Sequence, residues 1–228
     1  MKTETELKSG EVSMARRSFL RYAGAGIAGV GVIAAASSCH KDHQVVPANG
    51  ATIDVGSGDY GILNYAYALE QLEAAFYTQV VKTPYSSIPS AELTYLTEIR
   101  DHEVCHREFF KAALGAKAIV ELTVDFSKID FTSRAAVLGA AKVFEDLGVT
   151  AYDGVGYLIQ TPAYLGIAGA IVSVEARHAA FIANLLGVSF ADSTQIDSNG
   201  LNISNKPSVV LAAANTYLKT KVSAKSFS

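Results

Sequence analysis

Two short stretches carry a carboxylate and an imidazole three residues apart: Glu103-x-x-His106 and Glu175-x-x-His178. On a helix, positions i and i+3 share a face, so each pair projects both groups the same way. That spacing can grip a metal ion, and it also occurs on ordinary amphipathic helices. The flanking residues separate the two readings. Glu103-x-x-His106-x-x-Phe109-x4-Leu114-Gly115 recurs as Glu175-x-x-His178-x-x-Phe181-x4-Leu186-Gly187. Upstream, Glu70-x-Leu72-x4-Tyr77 recurs as Glu145-x-Leu147-x4-Tyr152. The order Glu…Tyr, then Glu-x-x-His, is thus written twice, and one half of the region copies the other.

Helices must position these groups. Asp59 is a suitable N-cap for a helix through "YGILNYAYALEQLEAAFYTQVV", which Pro84 and Pro89 end. Ser90 can cap a second helix, "AELTYLTEIRDHEVCHREFFKAAL", with Gly115 behind it. Residues 116–131 read as extended or irregular. A third helix runs from a Ser133 cap to about Tyr157, and Pro162 opens a fourth that ends before Gly187. After a polar stretch, "PSVVLAAANTYLKTK" reads as a short fifth helix with a loose tail behind it. The expectation is an all-α fold: four long helices in two antiparallel hairpins, one long crossover, and a short C-terminal helix.

Depth follows from counting. The midpoint between Glu70 and Glu103 falls at Ser86 and Ser87, and that between Glu145 and Glu175 falls at Gln160. Both acidic pairs therefore lie level across their hairpins, more than ten residues from each turn. At about 1.5 Å per residue that places them deep in a bundle. Their neighbours on the same face are apolar: Leu96, Phe109 and Phe110 in one copy, Ile171, Val174 and Phe181 in the other. Four carboxylates there repel one another and lack water. Two divalent ions would neutralise them, and the two imidazoles complete the ligand set. Carboxylate plus imidazole suits iron or manganese, and zinc less exclusively. The candidate metal ligands are Glu70, Glu103, His106, Glu145, Glu175 and His178.

This constellation resembles the ferritin-like superfamily of four-helix carboxylate proteins, in particular exported bacterial ferritin-like proteins related to desiccation-related proteins. "LNYAYALEQLEAAFY" is similar to the first helix of bacterioferritins. The resemblance covers residues 59–187 and implies two iron ions, alternatively manganese, that react with oxygen or peroxide. Relatives of this kind oxidise and store iron, reduce peroxide or disproportionate it, and the resemblance does not choose among these outcomes. The chain has no four-cysteine rubredoxin module, and its two methionines, Met1 and Met14, offer no haem ligand in the bundle. Two function classes follow: an exported di-metal oxidoreductase, or a non-catalytic envelope protein of the desiccation-related kind with structural or no metal.

Other residues are secondary. Glu73 lies one turn after Glu70, but the repeat pairs it with Gly148; it is an alternative ligand, a neighbour of the ligands, or a solvated side chain. Tyr77 and Tyr152 sit two turns from their glutamates. They would hydrogen-bond a ligand carboxylate, carry a transient radical, or simply fill the core. His102 and Glu108 read as surface residues, Cys105 as a small core residue, and Arg177, His40 and His43 as solvated.

The N-terminus reads as an address. Arg16-Arg17, then Phe19-Leu20 and a Gly/Ala-rich run to Cys39, resemble a twin-arginine export signal. Ala36-Ser37-Ser38-Cys39 is similar to a lipoprotein cleavage box, except that Ala36 stands where Leu is usual. An uncleaved anchor is the alternative. The expected organisation is a signal at 1–39, a flexible linker at 40–58, the bundle at 59–187, and a loop, short helix and tail at 188–228. The expected location is the periplasm or cell envelope. Net charge is −3 with no basic patch, which argues against nucleic acid, and two cysteines make no disulfide framework. Expected partners are metal ions and oxygen or peroxide. Membrane contact would come only through the N-terminal signal or lipid anchor, and a homodimer is compatible with the bundle.

Overall fold

A computed structural model describes residues 52–227. The stretch read as an export signal, with Cys39, and the linker residues His40 and His43 lie outside the described residues. Four long helices form the body: α1 (Gly58–Lys82), α2 (Ser90–Leu114), α3 (Arg134–Val155) and α4 (Pro162–Leu186). A short α5 (Pro207–Ala214) follows, and strands β1 (Thr52–Asp54) and β2 (Lys221–Ser223) flank the whole. The expected all-α, ferritin-like antiparallel bundle with a short C-terminal helix is what is observed, with α1 packed along α2 and α3 along α4.

Burial ranks the helices. In α1, 17 of 25 residues are buried, so it is the central helix and is apolar nearly all round. In α4 an 18-residue window has mean hydropathy 1.4, enough by composition alone to cross a membrane. Yet its Glu175 and His178 are buried inside the bundle, and the helix forms one wall of it.

The helix ends differ in detail from the sequence reading. The α1 cap position is Ser57, and Asp59 instead accepts the Gln160 and Thr161 N–H groups, each at 2.9 Å. Asp59 therefore ties the start of α1 to the turn between α3 and α4. Ser90 is the first residue of α2, with Pro89 at the cap and no side-chain capping bond. Ser133 does cap α3, accepting the Ala136 N–H at 3.3 Å. Gly187 ends α4 in the left-handed region at φ 69°, which a residue without Cβ adopts freely.

The crossover at 115–133 is held by two polar side chains of α1 spaced two turns apart. Asn64 donates to the carbonyls of Val55 and Lys117 and accepts from the Ile119 N–H at 2.9 Å. Gln71 accepts from the Leu122 N–H at 2.7 Å. Phe126 and Phe131 then drop onto Phe76, which is fully buried. Val124 bridges to Leu218, so the crossover is sandwiched between α1 and the C-terminal segment.

Two expectations fail here. The last residues are not loose: β2 pairs in parallel with β1, and Leu218, Val222 and Ala224 are buried. Residues 52–58 are not free linker for the same reason, with Val55 only 2% exposed. The paired segments lie 169 residues apart, and a three-residue parallel pair between them leaves no local periodicity to read.

Replacing Asn64 by Ala strands the Ile119 N–H and weakens two carbonyl contacts under the crossover. Chemical denaturation should show a loss of about 2–3 kcal/mol with helical content retained.

Candidate metal centre

Each long helix contributes to one level of the bundle. Glu70 and Glu73 come from α1, Glu103 and His106 from α2, Glu145 from α3, and Glu175 and His178 from α4. All five carboxylates are buried, and Glu70, Glu103 and Glu145 are wholly so.

The six expected ligands form two groups of four. Around His106 Nδ1 lie Glu175 Oε1 at 2.9 Å, Glu70 Oε2 at 3.4 Å and Glu103 Oε2 at 3.6 Å. Around His178 Nδ1 lie Glu103 Oε1 at 2.8 Å, Glu145 Oε2 at 3.4 Å and Glu175 Oε2 at 4.0 Å. Glu103 and Glu175 thus offer one oxygen to each group, while Glu70 and Glu145 each serve one. Within each group the ligand atoms lie within 4.8 Å of one another, close enough to surround a single ion.

These are the atoms that lack other employment. Glu70 Oε2, both oxygens of Glu103 and Glu175, Glu145 Oε2, and Nδ1 of His106 and His178 are buried with no hydrogen-bond partner. Such groups are costly to leave unpaired. Some separations equal hydrogen-bond lengths, yet the angles do not. The donor set fits two cations of the iron or manganese kind, with three oxygens and one imidazole nitrogen facing each.

A family model described as Ferritin-like domain matches residues 58–188, more than half of the chain. The chain belongs to the ferritin-like domain family. A comparison with curated proteins gives no match.

In this ferritin-like chain the tyrosines link the hairpins. Tyr77 of α1 donates to Glu145 Oε1 of α3, and Tyr152 of α3 donates to Glu70 Oε1 of α1, each at 2.5 Å. Moving seven residues forward on α1 moves seven back on α3, so these two helices run antiparallel. Burial and the adjacent carboxylates push both phenols well above their usual range, which keeps each hydroxyl a donor. Each tyrosine occupies the outer oxygen of a glutamate and leaves the inner one for the metal position.

Glu73 is not solvated: it is 3% exposed. A Cβ on Gly148 would lie 3.2 Å from Glu73 Oε1 and 3.5 Å from Glu175 Oε2. The repeat partner of Glu73 is therefore a glycine because the carboxylate fills the space a side chain there would take.

His102 also departs from the sequence reading. Its Nδ1 lies 2.9 Å from His178 Nε2, so it touches a ligand residue despite its exposure. Cys105 is exposed instead of core, whereas Glu108 and Arg177 are exposed as expected. Sequence reasoning missed His102 because it lies on the flank of α2 turned to α4, off the Glu103 face.

Without cations, protons must offset the charge. Burial pushes Glu73 and Glu175 well up and neighbouring carboxylates push them further, while burial takes Glu70 to about 7. Burial alone would lower both imidazoles. Contacts with Glu103, Glu175 and Glu70 outweigh it at His106, and contacts with Glu103 and Glu145 raise His178 to about 11. Burial opposes ionisation of Glu103, but the two imidazoles overcome it and hold that carboxyl at about 2. Both histidines therefore carry a proton at neutral pH that an incoming cation must displace. Calorimetry with Zn(II) in buffers of different ionisation enthalpy should read release of on the order of three protons at neutral pH, two from the imidazoles and one from Glu175, with affinity falling on acidification. Tyr77→Phe or Tyr152→Phe frees a ligand oxygen from its donor, and each should weaken metal binding about 10–100-fold in the same titration.

Proposed function

We propose that this protein binds two iron ions, alternatively manganese, in the bundle core, and that the pair reacts with dioxygen, oxidation of Fe(II) being the direct reaction. The observation that carries this is the division of eight orphaned, buried ligand atoms into two matched groups sharing Glu103 and Glu175. Held there by Glu70, Glu103, His106, Glu145, Glu175 and His178, two ferrous ions would supply two electrons to dioxygen, which with two protons would leave as hydrogen peroxide.

The chain's own residues support a redox role over a purely structural one. Five buried carboxylates exceed the four positive charges of two divalent ions. The fifth, Glu73, favours the more highly charged oxidised pair and can hold a proton while the pair is reduced. Tyr77 and Tyr152 hold Glu70 and Glu145 in place as that charge changes. Next to the site, an apolar recess lined by Ile62, Leu63, Leu69, Phe110, Val155 and Tyr152 approaches the Glu70 side. A recess without charged groups admits dioxygen more readily than peroxide, which needs hydrogen-bond partners.

We further read the twin-arginine pattern at Arg16-Arg17 as placing the protein in the periplasm or cell envelope, with Cys39 as the lipid-attachment residue. A lipid-anchored bundle is poorly suited to a closed storage shell. Metal oxidation without mineral storage is the role this supports.

Aerobic addition of Fe(II) to residues 44–228 tests the reading. The wild-type bundle should bind about two ions per chain and oxidise them, and Glu103→Ala/Glu175→Ala should lose both. Unchanged stoichiometry and oxidation in the double variant would sink the site assignment. Binding without turnover of Fe(II) or peroxide would favour a structural metal.

A further inference from the structure

An imidazole that ligates through one nitrogen carries its proton on the other, and the acceptor of that proton fixes ring and tautomer. His178 turns Nδ1 toward Glu103 and Glu145, so Nε2 carries the proton in the metal-bound form. That Nε2 lies 2.9 Å from Nδ1 of His102. The ring planes differ by 15° and the centroids are 5.1 Å apart. With the two nitrogens this close, such a centroid separation requires both to lie along the line between the rings. The imidazoles thus meet edge to edge, as an in-line hydrogen bond demands, and not face to face.

The other half of the site lacks this contact. By the repeat, His102 precedes Glu103 as Val174 precedes Glu175. Valine has no acceptor to offer the outer nitrogen of His106. The two ligand groups have the same composition, yet among the described residues only the outer nitrogen of His178 meets a side chain.

We propose that His102 is a positioning residue that accepts the Nε2–H of His178 and makes the Glu145–His178 position the tighter of the two metal positions. The consequence rests on the di-metal reading above. His102 touches no ion itself. It holds the His178 ring in the plane that aims Nδ1 inward, and its exposed edge exchanges freely with solvent. The two positions therefore fill in order, the Glu145–His178 position first.

Calorimetric titration of the full chain with Zn(II) tests this, with Co(II) absorption as a second readout. Wild-type protein should bind two ions with affinities about 10–100-fold apart. His102→Ala should weaken the tighter step to near the other, leave the weaker step unchanged, and alter the Co(II) spectrum of the first ion only. His102→Asn places a carbonyl oxygen where Nδ1 stood and should restore most of the gap. Val174→His should tighten the second step. Two ions bound with an unchanged gap in His102→Ala would overturn the proposal while leaving the di-metal reading intact. Equal weakening of both steps, or no rescue by Asn, would overturn it as a general structural effect. A wild-type chain that binds no metal would remove the di-metal reading, and the proposal with it.

Discussion

Five buried carboxylates at one level of an apolar bundle are the constraint around which the rest is arranged. A single ionised carboxylate in such a setting is already expensive, and five that feel one another's charge cannot all stay ionised without cations or protons. Each nearby feature answers that problem. Glu103 and Glu175 split their oxygens between two positions, Tyr77 and Tyr152 engage the outer oxygens of Glu145 and Glu70, and two imidazoles face inward. The surrounding packing is apolar, with Leu72, Phe76, Leu96 and Phe144 almost wholly buried, so the charge is poorly solvated.

The two hairpins copy each other at the ligands and differ just beyond them. Glu73 stands against Gly148, and His102 against Val174. The differences also extend outward. α1 is enclosed nearly all round, under a crossover latched by Asn64 and Gln71, whereas α4 leaves much of its apolar surface open. On the proposed di-metal reading, this repeated set of donors in an asymmetric setting would give two metal positions with unequal support. That inequality would bear directly on the proposed redox role, in which two ions would have to arrive and change charge in company.

Closure of the bundle depends on chain segments that carry no chemistry. The parallel pair of β1 and β2 joins the two ends of the described chain, and Asp59 joins the start of α1 to the turn before α4. Close approach of Asn205 to Gly154 seats the 188–206 segment against α3, where its N–H bonds the Thr150 carbonyl at 3.0 Å. Together they hold the two halves in the register that brings the four helices to one level.

The sequence alone determined the four helices, their pairing into hairpins and the six Glu and His side chains that come together. Helical periodicity is local, and a repeated Glu-x-x-His with its partner glutamate needs only counting to place in depth. The preference for Glu70 over Glu73 came from the same counting, and Glu70 stands in one of the two groups. The partners of Tyr77 and Tyr152 were open because the bond crosses between hairpins, which counting within one hairpin cannot reach. His102 read as a surface residue because its angular distance from Glu103 says nothing about a neighbouring helix. Glu73 and Gly148 each looked unremarkable until the packing showed one filling the space left by the other. The tail and residues 52–58 differ from their sequence reading because three-residue strands far apart in the chain leave no pattern in either segment. Tertiary structure decided all of these, since each depends on the distance between groups that only the folded chain brings together.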